Sequence, residues 1–122
     1  MKKWIIILCI ELLLWLAFIT TNYASSEVLP TSLRITVIDN LGNFVEGAQV
    51  ILYTSQEDYN SDENPVADPL TTDEKGRVTF KNLNAQSYFV DARYGDKTNI
   101  GEGVKTAPLQ EGRINKVNTV MQ

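Results

Sequence analysis

Histidine is missing from all 122 residues, and the single cysteine, Cys9, lies inside an apolar N-terminal run. Thiol nucleophiles, imidazole bases and histidine-ligated zinc are therefore excluded, and with them most hydrolase designs. Both tryptophans, Trp4 and Trp15, sit in the same run, so the rest of the chain has none. Beyond that run no segment carries a helical apolar period, which points to an all-β domain.

The N-terminal run reads as an export segment. Lys2 and Lys3 precede apolar residues 4–19, broken only by Glu11, and small or polar residues follow at 20–26. This is the plan of a secretory signal peptide, cleaved after Ala24. The rival is an uncleaved anchor, yet the sixteen residues 4–19 span about 24 Å as a helix, short of a hydrocarbon core of about 30 Å. Cys9 lies within the run, directly after Leu8, rather than behind it, so lipidation is not expected. The expected organisation is a signal peptide or anchor at 1–24, a tether at 25–32 containing Pro30, and a domain at 33–122.

Cleavage leaves 122 − 24 = 98 residues, enough for one independently folding domain without a disulfide. It also leaves 11 − 2 = 9 basic and 15 − 1 = 14 acidic residues, a net charge of −5. So acidic a surface argues against nucleic acid as a partner.

What is present is punctuated strand. Residues 73–76 (Asp-Glu-Lys-Gly) fit a type I turn, with a carboxylate at the first position and glycine at the fourth. Val78 and Phe80 then alternate with Arg77, Thr79 and Lys81; beyond a bend at 82–84, Tyr88, Val90 and Ala92 alternate with Phe89, Asp91 and Arg93. A period of two marks strands with one buried face and one wet face. Leu33, Ile35 and Val37 give the first such strand, and residues 39–42 (Asp-Asn-Leu-Gly) repeat the carboxylate-to-glycine turn. Gly47 marks a bulge or a close backbone approach. Val50 and Leu52 face inward, with Ile51 and Tyr53 on the other side. Residues 94–99 turn around Gly95-Asp96, a short edge strand is expected at 104–107, and Val117, Thr119 and Met121 line a final strand. The expected total is about seven strands.

Residues 55–69 carry Glu57, Asp58, Asp62, Glu63 and Asp68 with Pro65 and Pro69, and have neither period. A surface loop of this length is an expected site of specificity, with Glu57, Asp58, Tyr59, Asp62 and Glu63 as candidate partner-binding residues. Asp58, Asn60 and Asp62 alternate as in a calcium loop, but Glu63 occupies its glycine position and Pro69 its bidentate glutamate position, so no metal is expected. The other carboxylates fall in turns, where a solvated role is expected rather than paired-carboxylate chemistry. Tyr53, Tyr59, Tyr88, Phe89 and Tyr94 include rings that could stack on sugars.

The runs at 42–52 (Gly-Asn-Phe-Val-Glu-Gly-Ala-Gln-Val-Ile-Leu), 72–80 (Thr-Asp-Glu-Lys-Gly-Arg-Val-Thr-Phe), Leu83 and 88–92 (Tyr-Phe-Val-Asp-Ala) resemble the carboxypeptidase regulatory-like domain. The resemblance covers nearly all of 33–122. It implies a transthyretin-like (prealbumin-like) antiparallel Greek-key sandwich of about seven strands, common in exported bacterial proteins of Bacteroidetes type. Phe44 stands where the family usually has proline, and Ser87 where it has glycine; both departures fall in turns. The family's shared positions are structural, so no catalytic residue carries over. The enzyme form of the fold, a hydrolase of urate breakdown, relies on histidines missing here. Exported Gram-positive relatives sometimes carry a lysine-to-asparagine crosslink needing an inward lysine on the first strand, where this chain has Leu33, Ile35 and Val37.

The resulting expectation is a non-catalytic, exported accessory or interaction domain without a cofactor. It presents loops in the periplasm or at the cell surface to an envelope protein or glycan, and touches a membrane only through an uncleaved N-terminal segment. The alternative is a carbohydrate-binding module.

Overall fold

A computed structural model describes residues 28–122; the expected export segment at 1–24 and the start of the expected tether lie outside the described residues. Among the described residues no helix is long and apolar enough to cross a membrane. The elements are β1 (Ser32–Ile38), β2 (Gln49–Tyr53), α1 (Gln56–Ser61), β3 (Leu70–Thr71), β4 (Arg77–Phe80), β5 (Phe89–Tyr94), β6 (Lys97–Thr98) and β7 (Ile114–Val120). They form a β-sandwich of two sheets, ordered β4-β1-β7 and β3-β2-β5-β6.

The alternation in the sequence places the core. Leu33, Ile35 and Val37 from β1 and Val50, Leu52 and Val90 from the facing sheet are wholly buried, with Phe80 and Tyr88 closing the same cluster. Burying each large side chain contributes about 1.5–3 kcal/mol, so the inward rows hold the two sheets together. The domain starts slightly before residue 33: Thr31 and Ser32 are buried, and the Ser32 N–H donates to the Arg113 carbonyl at 3.0 Å.

The two carboxylate turns share one construction. Asp39 Oδ1 accepts from the Leu41 and Asn43 amides, each at 2.9 Å, and Asp73 Oδ1 from the Lys75 and Arg77 amides at 2.9 and 3.0 Å. These backbone donors favour the charged form and hold both carboxyls below their ordinary value of 3.8. Gly76 closes the second turn at φ +68°, with the Val37 carbonyl 2.5 Å from where a Cβ would sit. Only glycine fits there.

Three expectations are corrected. The sandwich is not wholly antiparallel, because β7 pairs in parallel with β1, from Ser32 opposite Ile114 to Ile38 opposite Val120. The chain reaches β7 through the long connection 99–113, which returns it to the first sheet in the direction of β1, as a parallel pair requires. Residues 104–107 are not a strand but hold a single bridge, Phe89 to Lys105. Asn99 explains the interruption. It is wholly buried, its Oδ1 accepts from the Ala92 amide at 3.0 Å, and its Nδ2 donates to the Val90 carbonyl and to Thr119 Oγ1, each at 2.9 Å. One side-chain amide thus replaces a stretch of ladder and ties β5 to β7 in the opposite sheet. Finally, part of 55–69 is helical.

Candidate interaction surface

Residues 55–61 fold as a capped turn and a half. Ser55 has extended φ/ψ (−135°, 156°), and its Oγ accepts from the Asp58 amide at 3.1 Å. Glu57 and Asp58 place negative charge in the first turn, where the helix dipole favours it. Asp62 ends the helix in the left-handed region, at φ 53°, and the Glu63 amide donates to the Asp58 carbonyl at 3.1 Å. A Ser-x-x-Asp capping pattern at 55–58 followed by Pro65 was the signal available in the sequence. An apolar period could not reveal α1, because Tyr59 is the only apolar side chain in its six residues.

So short a helix is marginal alone and must be held by packing. Gln49, Ile51 and Tyr53 of β2 lie opposite Arg93, Asp91 and Phe89 of β5 on the outer face of the four-stranded sheet. Helix α1 lies over that face. Tyr59 meets Tyr53 edge-on, with centroids 6.0 Å apart, and Phe89 at 6.2 Å. Tyr53 is consequently only 2% exposed despite pointing away from the core. Burial pushes both phenols above their ordinary value of 10.0, and the charge of Asp91 adds to the rise at Tyr59, so both rings stay neutral. Lys105 Nζ lies 5.6 Å from the Phe89 centroid.

Arg93 clasps helix to sheet. Its Nη2 donates to Asp62 Oδ1 at 2.8 Å, and its Nε to Asp91 Oδ1 at 3.2 Å. The Asp91 hydrogen bond leads the causes that raise the Arg93 pKa, keeping the guanidinium charged. Asp91 is buried, and its Oδ2 lies 2.9 Å from Nη2 without an aligned donor, so its charge is balanced while its lone pairs are not. Beside the clasp runs an open groove of about 440 Å³ bordered by Tyr59, Asn60, Asp62, Arg93, Thr98 and Ile100.

Of the sequence-predicted site residues, Tyr59 is half-buried as the helix's anchor and Asp62 is drawn into the clasp, while Glu57 and Glu63 remain exposed. Asp58 is half-buried and its Oδ1 accepts from Asn64 Nδ2 at 3.3 Å. Of the alternating Asp58, Asn60 and Asp62, Asp62 has the Arg93 guanidinium as its cation. Among the described residues no group of three or more potential metal-ligating acidic, histidine or cysteine side chains is gathered. Sequence reasoning missed Asp91 and Arg93, because alternation marks both merely as outward. A second groove, also about 440 Å³, runs between Phe44 and Tyr94 with Asp39, Glu46 and Lys97 on its walls. The Tyr94 ring rests over Gly47, whose Cβ would stand 3.6 Å from Cε2.

No family model matches the chain. No curated protein matches it. Among solved structures, it is similar to a Streptococcal ancillary pilin at 18% identity, TM-score 0.55, over 80% of this chain and 34% of that one. It is similar also to the group B streptococcus pilus 2b backbone protein at 15% identity, TM-score 0.50, over 75% of this chain and 40% of that one. A chlorocatechol 1,2-dioxygenase from Pseudomonas putida matches at 15% identity and TM-score 0.45, over 80% of this chain and 63% of that one, a likeness too distant to bear on function. The chain spans less than half the length of either pilus protein, and what it shares with them at these identities is the β-sandwich fold.

Proposed function

We propose that the chain is a non-catalytic, exported interaction domain of the periplasm or cell surface, and that it meets its partner through the α1 face. One observation carries the reading: α1, capped by Ser55 and Asp62, is held on the sheet by Tyr59 and Arg93, with Glu57 exposed in its first turn and Glu63 exposed just past its end. A rigid scaffold holding a few side chains in fixed positions is what a binding surface requires. The N-terminal apolar run supports export, and the sandwich it shares with two pilus proteins supports a surface setting. The family reading, a carboxypeptidase regulatory-like domain with Greek-key connections, is supported by the motif runs at 42–52 and 72–80.

The test is cross-linking capture from an envelope extract with the wild type and with Glu57→Lys/Glu63→Lys. Both side chains are exposed, so the variant should fold normally and lose the partner; retained capture would place the binding face elsewhere. A glycan array serves as the control. Saturable glycan binding lost on Tyr94→Ala would move the reading to a carbohydrate-binding module.

A further inference from the structure

Among the described residues no helix or strand packs on the outer face of the three-stranded sheet, and its strands carry one sign of charge. With Leu33, Ile35 and Val37 turned inward, Arg34, Thr36 and Ile38 point outward. The register sets Arg34 beside Lys116 of β7 and Thr79 of β4, and Thr36 beside Arg77. Strands lie about 4.8 Å apart, so Arg34 and Lys116 are immediate neighbours and Arg77 stands diagonally across from Arg34. Neither β1, β4 nor β7 contains an acidic residue. Among the described residues the ion pairs are those of Arg93, so Arg34, Arg77 and Lys116 have no carboxylate within pairing distance. Like charges placed side by side on a sheet destabilise it, and the Asp73 carboxylate offsets part of that cost at Arg77.

The opposite broad face has an acidic excess: Arg93 and Lys105 lie on it, but Arg93 is held by Asp62 and Asp91. No lysine or arginine occurs between Ile35 and Glu74, and that stretch includes Glu57, Asp58, Asp62, Glu63 and Asp68. The acidic α1 covers the outer face of one sheet, and the basic cluster lies on the outer face of the other. The two point in opposite directions, so one molecule cannot pair its own faces, whereas a second copy can.

We propose that the basic outer face of the β4-β1-β7 sheet docks against the acidic α1 face of a second copy, stacking copies head to tail. Charge complementarity selects the occupant. An anionic polymer or membrane would meet the basic face too, but it would leave the acidic α1 face without a partner, whereas a second copy engages both faces. The contact is heterologous, each copy using a different surface from its neighbour, so it leaves a free face at both ends and can repeat. Exposed ion pairs are individually weak and screened by salt, which makes the stack weak and sensitive to ionic strength. The α1 half of the contact rests on the reading of α1 as a binding face; envelope capture tests that reading separately.

Sedimentation velocity on the protein recovered from the envelope of an expressing bacterium decides the matter. The average mass should rise with concentration at about 0.01 M salt and return to the monomer at about 1 M, where charges are screened within about 3 Å. Arg34→Gln/Lys116→Gln and Glu57→Gln/Glu63→Gln should each be monomeric at low salt. Mixed in equal amounts, they should form a dimer and nothing larger, because each retains one intact face. Arg77→Gln/Lys116→Gln replaces the first variant if loss of the bond from Arg34 to Thr79 impairs folding. A monomeric wild type at low salt, or variants that stack as it does, would overturn the proposal. So would a monomeric wild type that floats with anionic vesicles through Arg34 and Lys116.

Discussion

Removing Arg93 separates the two arms of the clasp. Asp91 has 5% of its side chain exposed and Asp62 has 56%, while Arg93 is 47% exposed. In Arg93→Ala, Asp62 simply returns to water, an arm of the kind that contributes about 0.2–1 kcal/mol. Asp91, at 5% exposure, does not, and it is left as a buried charge without the counterion that Arg93 supplied. Breaking a buried pair in this way costs about 3–5 kcal/mol. Water already reaches half of the guanidinium, so the lower end of that range, about 3 kcal/mol, is expected. At about 4–8 °C per kcal/mol for a domain of this size, the melting temperature should fall by about 12–24 °C. Asp62→Ala should lower it by a few degrees. Adding Asp91→Asn to Arg93→Ala neutralises the stranded carboxylate and should recover most of the loss. Melts followed by circular dichroism on the four proteins complete the set. If Arg93→Ala is no worse than Asp62→Ala, or if Asp91→Asn restores nothing, Asp91 is not the buried charge that holds the helix face together.

Three further outcomes can be checked in the same way. Asn99→Ala strands the Ala92 amide and the Val90 carbonyl at about 1–3 kcal/mol each, and Asn99→Leu, which refills the volume, should be nearly as damaging; a leucine variant that melts like the wild type would mean that the site needs packing alone. Phe80→Ala should cost about 3–5 kcal/mol from its 3% exposed position, read from urea unfolding, and a loss under about 1 kcal/mol would put Phe80 outside the core. Asp39 and Asp73 have lowered carboxyl pKa values, so the stability they supply is complete above the unfolded value and disappears as the pH falls through the folded ones; below about pH 4 the wild type should therefore lose stability faster than Asp39→Asn/Asp73→Asn, and parallel acid limbs would contradict the turn account.

The sandwich was legible because its devices are local. Leu33, Ile35 and Val37, like Val78 and Phe80, alternate cleanly, and the two Asp-x-x-Gly turns declare themselves by residue type. The parallel partnership of β1 with β7 was not legible, since it joins the two ends of the domain and depends on how the 99–113 connection crosses between sheets. Asn99 looked like a turn residue, although a side-chain amide can imitate a peptide group in the ladder. At the candidate surface, the acidic residues were visible in the sequence but their support was not. Asp91 and Arg93 sit at outward positions of an ordinary alternating strand, and only the docking of Tyr59 buries one of them and gives the other two carboxylates to hold. With Tyr53 and Asp91 beneath it, the 55–69 segment is part of the packing, and cutting it to a short turn would cost more than the small change in closure entropy expected of a free loop.

Hydrogen–deuterium exchange tests most directly the claim that the acidic residues stand on a held surface. The Tyr59 amide donates to the Ser55 carbonyl at 3.1 Å and the Glu63 amide to the Asp58 carbonyl at 3.1 Å. A synthetic peptide of residues 55–69 is too short to hold a helix in water, so its amides give the unprotected rate. The Tyr59 and Glu63 amides should exchange markedly more slowly in the intact protein than in the peptide, and Arg93→Ala should remove most of that protection. Exchange at the peptide rate in the wild-type protein would contradict the account, since a segment that opens freely cannot display Glu57 and Glu63 in fixed positions.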